Sequence, residues 1–348
     1  MVKQLRLFLF SYLIDSLVKN LLCKERVVLN RIAYFDNAKA ILIFLVVVGH
    51  MLSKFLHNDH LIDSIYLFIY MFHMPAFILI SGYFSKKVYE PGYISKLVRK
   101  LILPYALLQV GYSLYYYFIF DDTISLSFFI PRWALWFLIS LILWNILLYF
   151  FGKIKYGLPL AIIISLLIGY DAYVGEFLSI SRTFFFFPFF LMGYYLQKNH
   201  FEKLKTRTNT IIGALLAVLL FVVIYFFVPI DFSQWLLGKR SYDEMTFSLL
   251  QFAWANRFVA YIGMAAATYM FLALVPRREV FFTSIGKNTM SIYLLHMALV
   301  RIFEASSLKT FIEDKNQYWI VFIIGLVIVY ILSRPAIVKI VYKVCKVK

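Results

Sequence analysis

The chain alternates apolar runs of about twenty residues with short charged segments. A helix of roughly twenty apolar residues matches the hydrocarbon thickness of a bilayer, so each run reads as a membrane-crossing helix. Ten runs are expected: 37–56, 63–84, 98–120, 133–151, 156–170, 183–197, 209–230, 254–275, 284–304 and 317–335. The fifth and sixth are short and have the least defined ends. The expected fold class is all-α, a polytopic integral membrane protein. No period of 20 to 50 residues repeats, which argues against a solenoid or an inverted-repeat transporter. The organisation is one membrane domain over 31–348 behind a distinct segment, 1–30. In that segment Leu5 to Ile14 is apolar, with Lys3 and Arg6 before it and Asp15 and Lys19 after it. It reads as an amphipathic helix on the cytoplasmic face. It could pass for a signal peptide, but no small-residue cleavage site follows, which makes the amphipathic helix the better reading.

Charge orients the runs. With the N-terminus inside, the inner loops hold 26 of the 35 Lys and Arg residues, whereas 12 of the 18 acidic residues lie outside. This positive-inside bias alternates through every loop and puts both termini in the cytoplasm. It also explains the net charge of +17 without nucleic acid. Only 15% of residues are charged and 63% are hydrophobic, which leaves no room for a separate soluble domain. Cys23 and Cys345 lie near the two ends and form neither a disulfide framework nor a metal site. The longest outer loop, about 231–253, fits a lid or acceptor contact and fits a solvated connector equally well.

An ionisable side chain in hydrocarbon costs a few kcal/mol or more, so His50, deep in the first run, is a functional candidate. Lys39 lies eleven residues before it: three helical turns plus about 20°, on one face and roughly 16 Å away. Asp36 falls within about 40° of that face. A stripe thus runs from a charge pair at the cytoplasmic rim to a buried imidazole. His73 and His296 are the other two histidines inside runs, at depths of about 15 and 18 Å near that of His50. Imidazole is the usual general base at neutral pH, although a membrane histidine also serves helix–helix hydrogen bonding. Gly49 admits a ligand or a neighbouring backbone beside His50. Pro75 marks a kink after His73.

A second basic cluster, Lys96, Arg99 and Lys100, opens the third run. With Lys39 it suits the phosphates of a coenzyme arriving from the cytoplasm, and it also suits plain membrane anchoring. Neither GxxxxGK[ST] nor GxGxxG is present, so ATP hydrolysis is not expected. Arg182, the lone basic residue opening the sixth run, fits two roles: holding an acceptor group, or capping Asp171 or Glu176. Trp136 fits either a sugar platform or an interfacial anchor.

Six blocks carry a resemblance: RIAYFDNAKAILIFLVVVGH, YMFHMPAFILISGYF, KLVRKLILPY, WALWFLISL, RTFFFFPFFLMGYYL and SIGKNTMSIYLLH. In this order, over about residues 31–300, the chain resembles the acyltransferase 3 family, and within it the sugar O-acetylases related to fucose 4-O-acetylase. The first two blocks are the most specific. The family's basic residue, ten residues and histidine fall on Lys39 and His50, and its third-span basic pair falls on Lys96 and Arg99. The resemblance implies a multi-pass enzyme of the bacterial cytoplasmic membrane. Its donor would be cytoplasmic acetyl-CoA, and its acceptor a sugar hydroxyl of a cell-surface polysaccharide or lipid-linked precursor. It implies no metal or prosthetic group. His50 would serve as base or as transient acyl carrier, with His73 or His296 polarising the thioester or orienting His50. The esterase-like domain that some members append is not expected, so an acyl relay would need separate glycan-assembly proteins. A transporter or flippase without chemistry is the competing expectation. A polysaccharide polymerase fits less well, because the outer loop carries only Lys239 and Arg240.

Overall fold

The computed structural model describes residues 33–120, 127–173, 175–204, 206–246 and 250–345. The expected cytoplasmic segment 1–30, with Cys23, lies outside these residues, as does Arg31. The chain is all-helical across the described residues. Helices α1 (Ala33–Leu52), α2 (His60–Tyr83) and α3 (Tyr93–Phe120) come first. They are followed by α4 (Trp136–Phe151), α5 (Gly157–Leu167), α6 (Ile180–Tyr195) and the short α7 (Lys198–Leu204). Then come α8 (Arg207–Phe227), α9 (Ser233–Leu237), α10 (Ala253–Leu274) and α11 (Thr283–Lys287). The chain closes with α12 (Thr289–Glu304), α13 (Ser307–Asp314), α14 (Trp319–Leu332) and α15 (Pro335–Val344).

Six of these helices, some with a short lead-in turn, are long and apolar enough to cross a membrane, and the protein is polytopic on that basis. The number reaches eight if α12 with α13, bent by 66°, and α14 with α15, bent by 63°, each form one span. The expected third and fifth spans fall outside this set for different reasons. α3 is 28 residues long, but it opens with Lys96, Arg99 and Lys100, and its apolar stretch is diluted by tyrosines. The fifth, Gly157–Tyr170, is apolar but short.

α1 and α2 form the centre. α1 packs on α2, α11, α12 and α14, and α2 packs on α1, α6, α8 and α10. With hydrocarbon on the outside, burial of apolar surface gives helices little drive to associate, so close packing and hydrogen bonds must hold them. The α2–α6 crossing shows the packing. A Cβ on Gly82 would lie 2.0 Å from the Phe190 carbonyl oxygen, and one on Gly193 2.0 Å from that of Leu79. The two helices touch backbone to backbone at both points, so each position requires a residue without a side chain. Hydrogen bonds do the same between α4 and α6. Trp144 donates to the Thr183 carbonyl at 2.8 Å, and the Ser140 and Thr183 hydroxyls share a bond of 2.8 Å. The other extreme is α8. Its apolar stretch is only 11% buried, against 72% for α1, so it presents Leu215, Val218 and Leu219 outward, where lipid would lie.

Candidate active site

His50 stands two residues before the end of α1, half-buried, on the wall of a cavity of about 570 Å³. That volume is in the range of small-molecule sites. His73, Arg182 and Trp136 line the same cavity, so α1, α2, α6 and α4 each contribute one expected residue. Tyr70, Arg132, Trp133 and the Glu176–Lys239 pair complete its polar wall. Val46, Met74, Phe186 and Leu236 supply apolar surface.

His296 does not line the cavity. It is fully buried behind His50, with the two rings 5.4 Å apart between centroids. Its Nδ1 lies 2.8 Å from the Tyr293 carbonyl and 3.1 Å from that of Ile292. A carbonyl only accepts, so Nδ1 carries the proton and Nε2 presents a lone pair. No partner meets that Nε2 among the described residues. His73 repeats the arrangement: Nδ1 donates to the Ile69 carbonyl at 2.8 Å, one turn earlier in α2. Both imidazoles are therefore fixed in one tautomer with a basic nitrogen to spare.

Arg182 places its guanidinium 4.9 Å above the Trp136 ring. It caps neither expected carboxylate: Glu176 pairs with Lys239 at 2.5 Å, and Asp171 accepts from the Tyr173 N–H at 2.8 Å. Among the described residues no carboxylate neutralises Arg182. The cavity therefore faces a half-buried positive charge with donors for a developing oxyanion or an acceptor oxygen. Beside His50, the space above Gly49 is filled by Tyr70, whose Cε2 would sit 3.0 Å from a Cβ. Tyr70 in turn stacks on Tyr66 and meets His73 edge-on.

The segment that carries Trp133 is tied down by one buried side chain. Gln109 on α3 donates to the carbonyls of Ser127 and Ile130 at 2.7 and 2.9 Å, and accepts from the Arg132 N–H at 3.0 Å. Trp133 sits at φ 49°, a conformation a bulky residue adopts only under constraint, with Lys54 at 5.3 Å from its ring. The expected outer loop, 231–253, is no loose connector over its described residues. Trp235, Leu236 and Tyr242 are buried, and Leu236, Leu237 and Lys239 form part of the cavity wall.

The remaining expected residues lie elsewhere. Asp36 and Lys39 pair at 2.7 Å near the start of α1, about 16 to 21 Å along the helix from His50. Lys96 and Arg99 are exposed in the first turns of α3 and line no part of the His50 cavity. Between the two ends, a narrow apolar crevice of about 30 Å³ runs from His50 past Val46 to Ile43, one turn short of Lys39. Tyr293 borders that crevice and donates to the Ala134 carbonyl.

Sequence reasoning missed Tyr70, Tyr293, Arg132, Asn37 and Lys86. For the two tyrosines a signal existed: Tyr-x-x-His occurs at 70–73 and again at 293–296. Spacing of three puts each tyrosine on the face of its histidine. Asn37 is buried and fully used. It donates to the carbonyls of Pro276 and Arg278 at 2.9 and 2.8 Å and accepts from Thr283 at 2.6 Å. Lys86, after α2, donates to the Leu196 and Tyr194 carbonyls at the end of α6, and burial pushes its pKa down. Nothing in the sequence tied either residue to its distant partners.

Two imidazoles and an arginine thus line one cavity of a helical membrane protein, with a third imidazole packed behind His50. A family profile described as an acyltransferase domain matches residues 32–336, and the chain belongs to the acyltransferase 3 family. Two relatives named nodulation protein NolL show local similarity. That of Mesorhizobium japonicum is 40% identical over 85 residues, 22% of each chain. That of Sinorhizobium fredii is 44% identical over 59 residues, 16% of each chain. The matched stretch thus spans about a fifth of the relatives' length. No solved structure matches the chain. No cluster of three or more His, Cys, Asp or Glu able to hold a metal ion occurs among the described residues.

Proposed function

We propose that the protein is a membrane O-acyltransferase that moves acetyl from cytoplasmic acetyl-CoA to a sugar hydroxyl. The acceptor is a cell-surface polysaccharide or its lipid-linked precursor. The observation that carries this reading is the convergence of His50, His73 and Arg182 on one cavity, with His296 behind His50. The membership in the acyltransferase 3 family supports it.

The chemistry follows from the placement. The sugar hydroxyl sits in the cavity against Trp136 and Trp133, with aromatic surface for its ring and polar side chains for its hydroxyls. His50 removes the hydroxyl proton as the oxygen attacks the thioester carbonyl. A C–O bond forms, the carbonyl oxygen becomes an oxyanion beside Arg182, and the C–S bond breaks. The leaving sulfur takes the proton back from the His50 imidazolium. His296, packed behind His50 with the rings 5.4 Å apart, holds that ring in its working orientation.

The chain crosses the bacterial cytoplasmic membrane ten times with both termini inside. That count takes each bent pair as one span and adds α3 and Gly157–Tyr170. In that topology Lys39, Lys96 and Arg99 lie at the cytoplasmic rim and attract the donor's phosphates. Asp36 positions Lys39. The crevice from Ile43 to His50, room for about one or two waters at rest, widens to pass the thioester arm.

Mass comparison of the surface glycan from cells with and without this protein tests the proposal. An increment of one acetyl group per repeat is the expected result. A larger increment replaces acetyl by another acyl group, and an unchanged glycan refutes the acceptor.

A further inference from the structure

A second cavity, open and about 660 Å³ in volume, lies where α8 begins and α10 ends. It shares no lining residue with the His50 cavity. Arg207, Arg277 and Arg278 surround it, over a floor of Ile211, Ala273 and Val275. None of the three arginines is ion-paired among the described residues, and all three are exposed. The groove is also held in shape. Arg277 donates to Thr210 at 3.0 Å and to the Thr206 carbonyl at 3.3 Å, across the first turn of α8. The Pro276 and Arg278 carbonyls are pinned by Asn37 on α1. Tyr269 on α10 donates to Asn209 on α8 at 2.8 Å.

Depth identifies the ligand. α8 reads Arg-Thr-Asn-Thr and then turns continuously apolar from Ile211, and its exposed face is Ile211, Ile212, Leu215 and Val218. The polar–apolar boundary of a lipid-facing helix marks the headgroup level, and the arginines stand at that boundary. A ligand here meets cations on its polar side and open apolar helix surface on the other. Guanidinium pairs phosphate bidentately, and the positive end of the α8 dipole adds to the attraction. We propose that this groove binds the phosphate headgroup of an anionic phospholipid, with its acyl chains laid along α8. The acyl donor's phosphates are the competing source of the same chemistry. The geometry disfavours them: the groove shares no lining residue with the His50 cavity or with the crevice that runs from it towards Lys39.

The test is native mass spectrometry of the purified protein titrated with phosphatidylglycerol, with phosphatidylcholine as the neutral control. Wild type is expected to retain one phosphatidylglycerol in preference to phosphatidylcholine. The triple variant Arg207→Gln, Arg277→Gln, Arg278→Gln is expected to lose that preference by roughly tenfold or more. The corresponding triple Lys variant keeps the charge and is expected to retain it. Retention by the Gln variant, or equal loss by the Lys variant, overturns the site. So does displacement of the bound lipid by millimolar coenzyme A, which assigns the groove to the donor.

Discussion

The two ends of α1 carry polar groups of opposite fate. At its start the polar side chains are engaged: Asp36 pairs with Lys39, and Asn37 fills its amide with three bonds. At its other end, among the described residues, the Nε2 of His296 has no partner and Arg182 has no carboxylate. An unsatisfied buried group costs on the order of 1 to 3 kcal/mol, so such groups persist at membrane depth where a substrate completes them. In the proposed mechanism the start of α1 attracts the donor and the other end does the chemistry. Substitutions at the two ends should therefore affect different kinetic constants.

The largest effect belongs to His50. His50→Gln should lower kcat by about 10² to 10⁴, the range for loss of a general base, in vesicles that contain normal amounts of folded protein. Arg182→Gln should follow closely, with about 10² to 10³ lost from kcat if it stabilises the oxyanion. Arg182→Lys should not restore the rate, because a point charge cannot reproduce the fork of donors. A wild-type rate in Arg182→Gln membranes would reassign the cavity's charge to structure. His296→Leu should reduce kcat roughly tenfold with KM for the donor unchanged, as expected of a residue that orients His50 without touching substrate. Lys39→Ala should do the converse, raising KM for the donor several-fold with kcat nearly constant. A kcat loss in Lys39→Ala as large as in His50→Gln would erase the distinction between the two ends. Smallest is Lys86→Ala. It removes the cation that caps the α6 C-terminus and should cost about 0.3 to 1 kcal/mol in thermal or denaturant unfolding, with activity unchanged.

Much of the frame was legible because bilayers impose length and apolarity on every span. The runs at 37–56, 63–84 and 209–230 overlap α1, α2 and α8 because nothing interrupts their hydropathy. The breaks were not legible. The ninth run, read as one span over 284–304, divides at Asn288 into α11 and α12, and α11 packs against α1. A hydropathy window averages over such a break. For the site, depth counted along helices brought His50, His73 and His296 to one level, and the structure gathers them. Counting along one helix says nothing about which neighbour a face meets. It therefore missed Tyr70 over Gly49, the Glu176–Lys239 pair that leaves Arg182 to the cavity, and the arginine groove built from two distant segments.

The central claim is that His50 performs the transfer and does not bind the donor. Reconstituted His50→Gln protein should bind labelled acetyl-CoA within about twofold of wild type while transferring no label to the glycan. Loss of donor binding in parallel with transfer, or transfer at the wild-type rate, would contradict it.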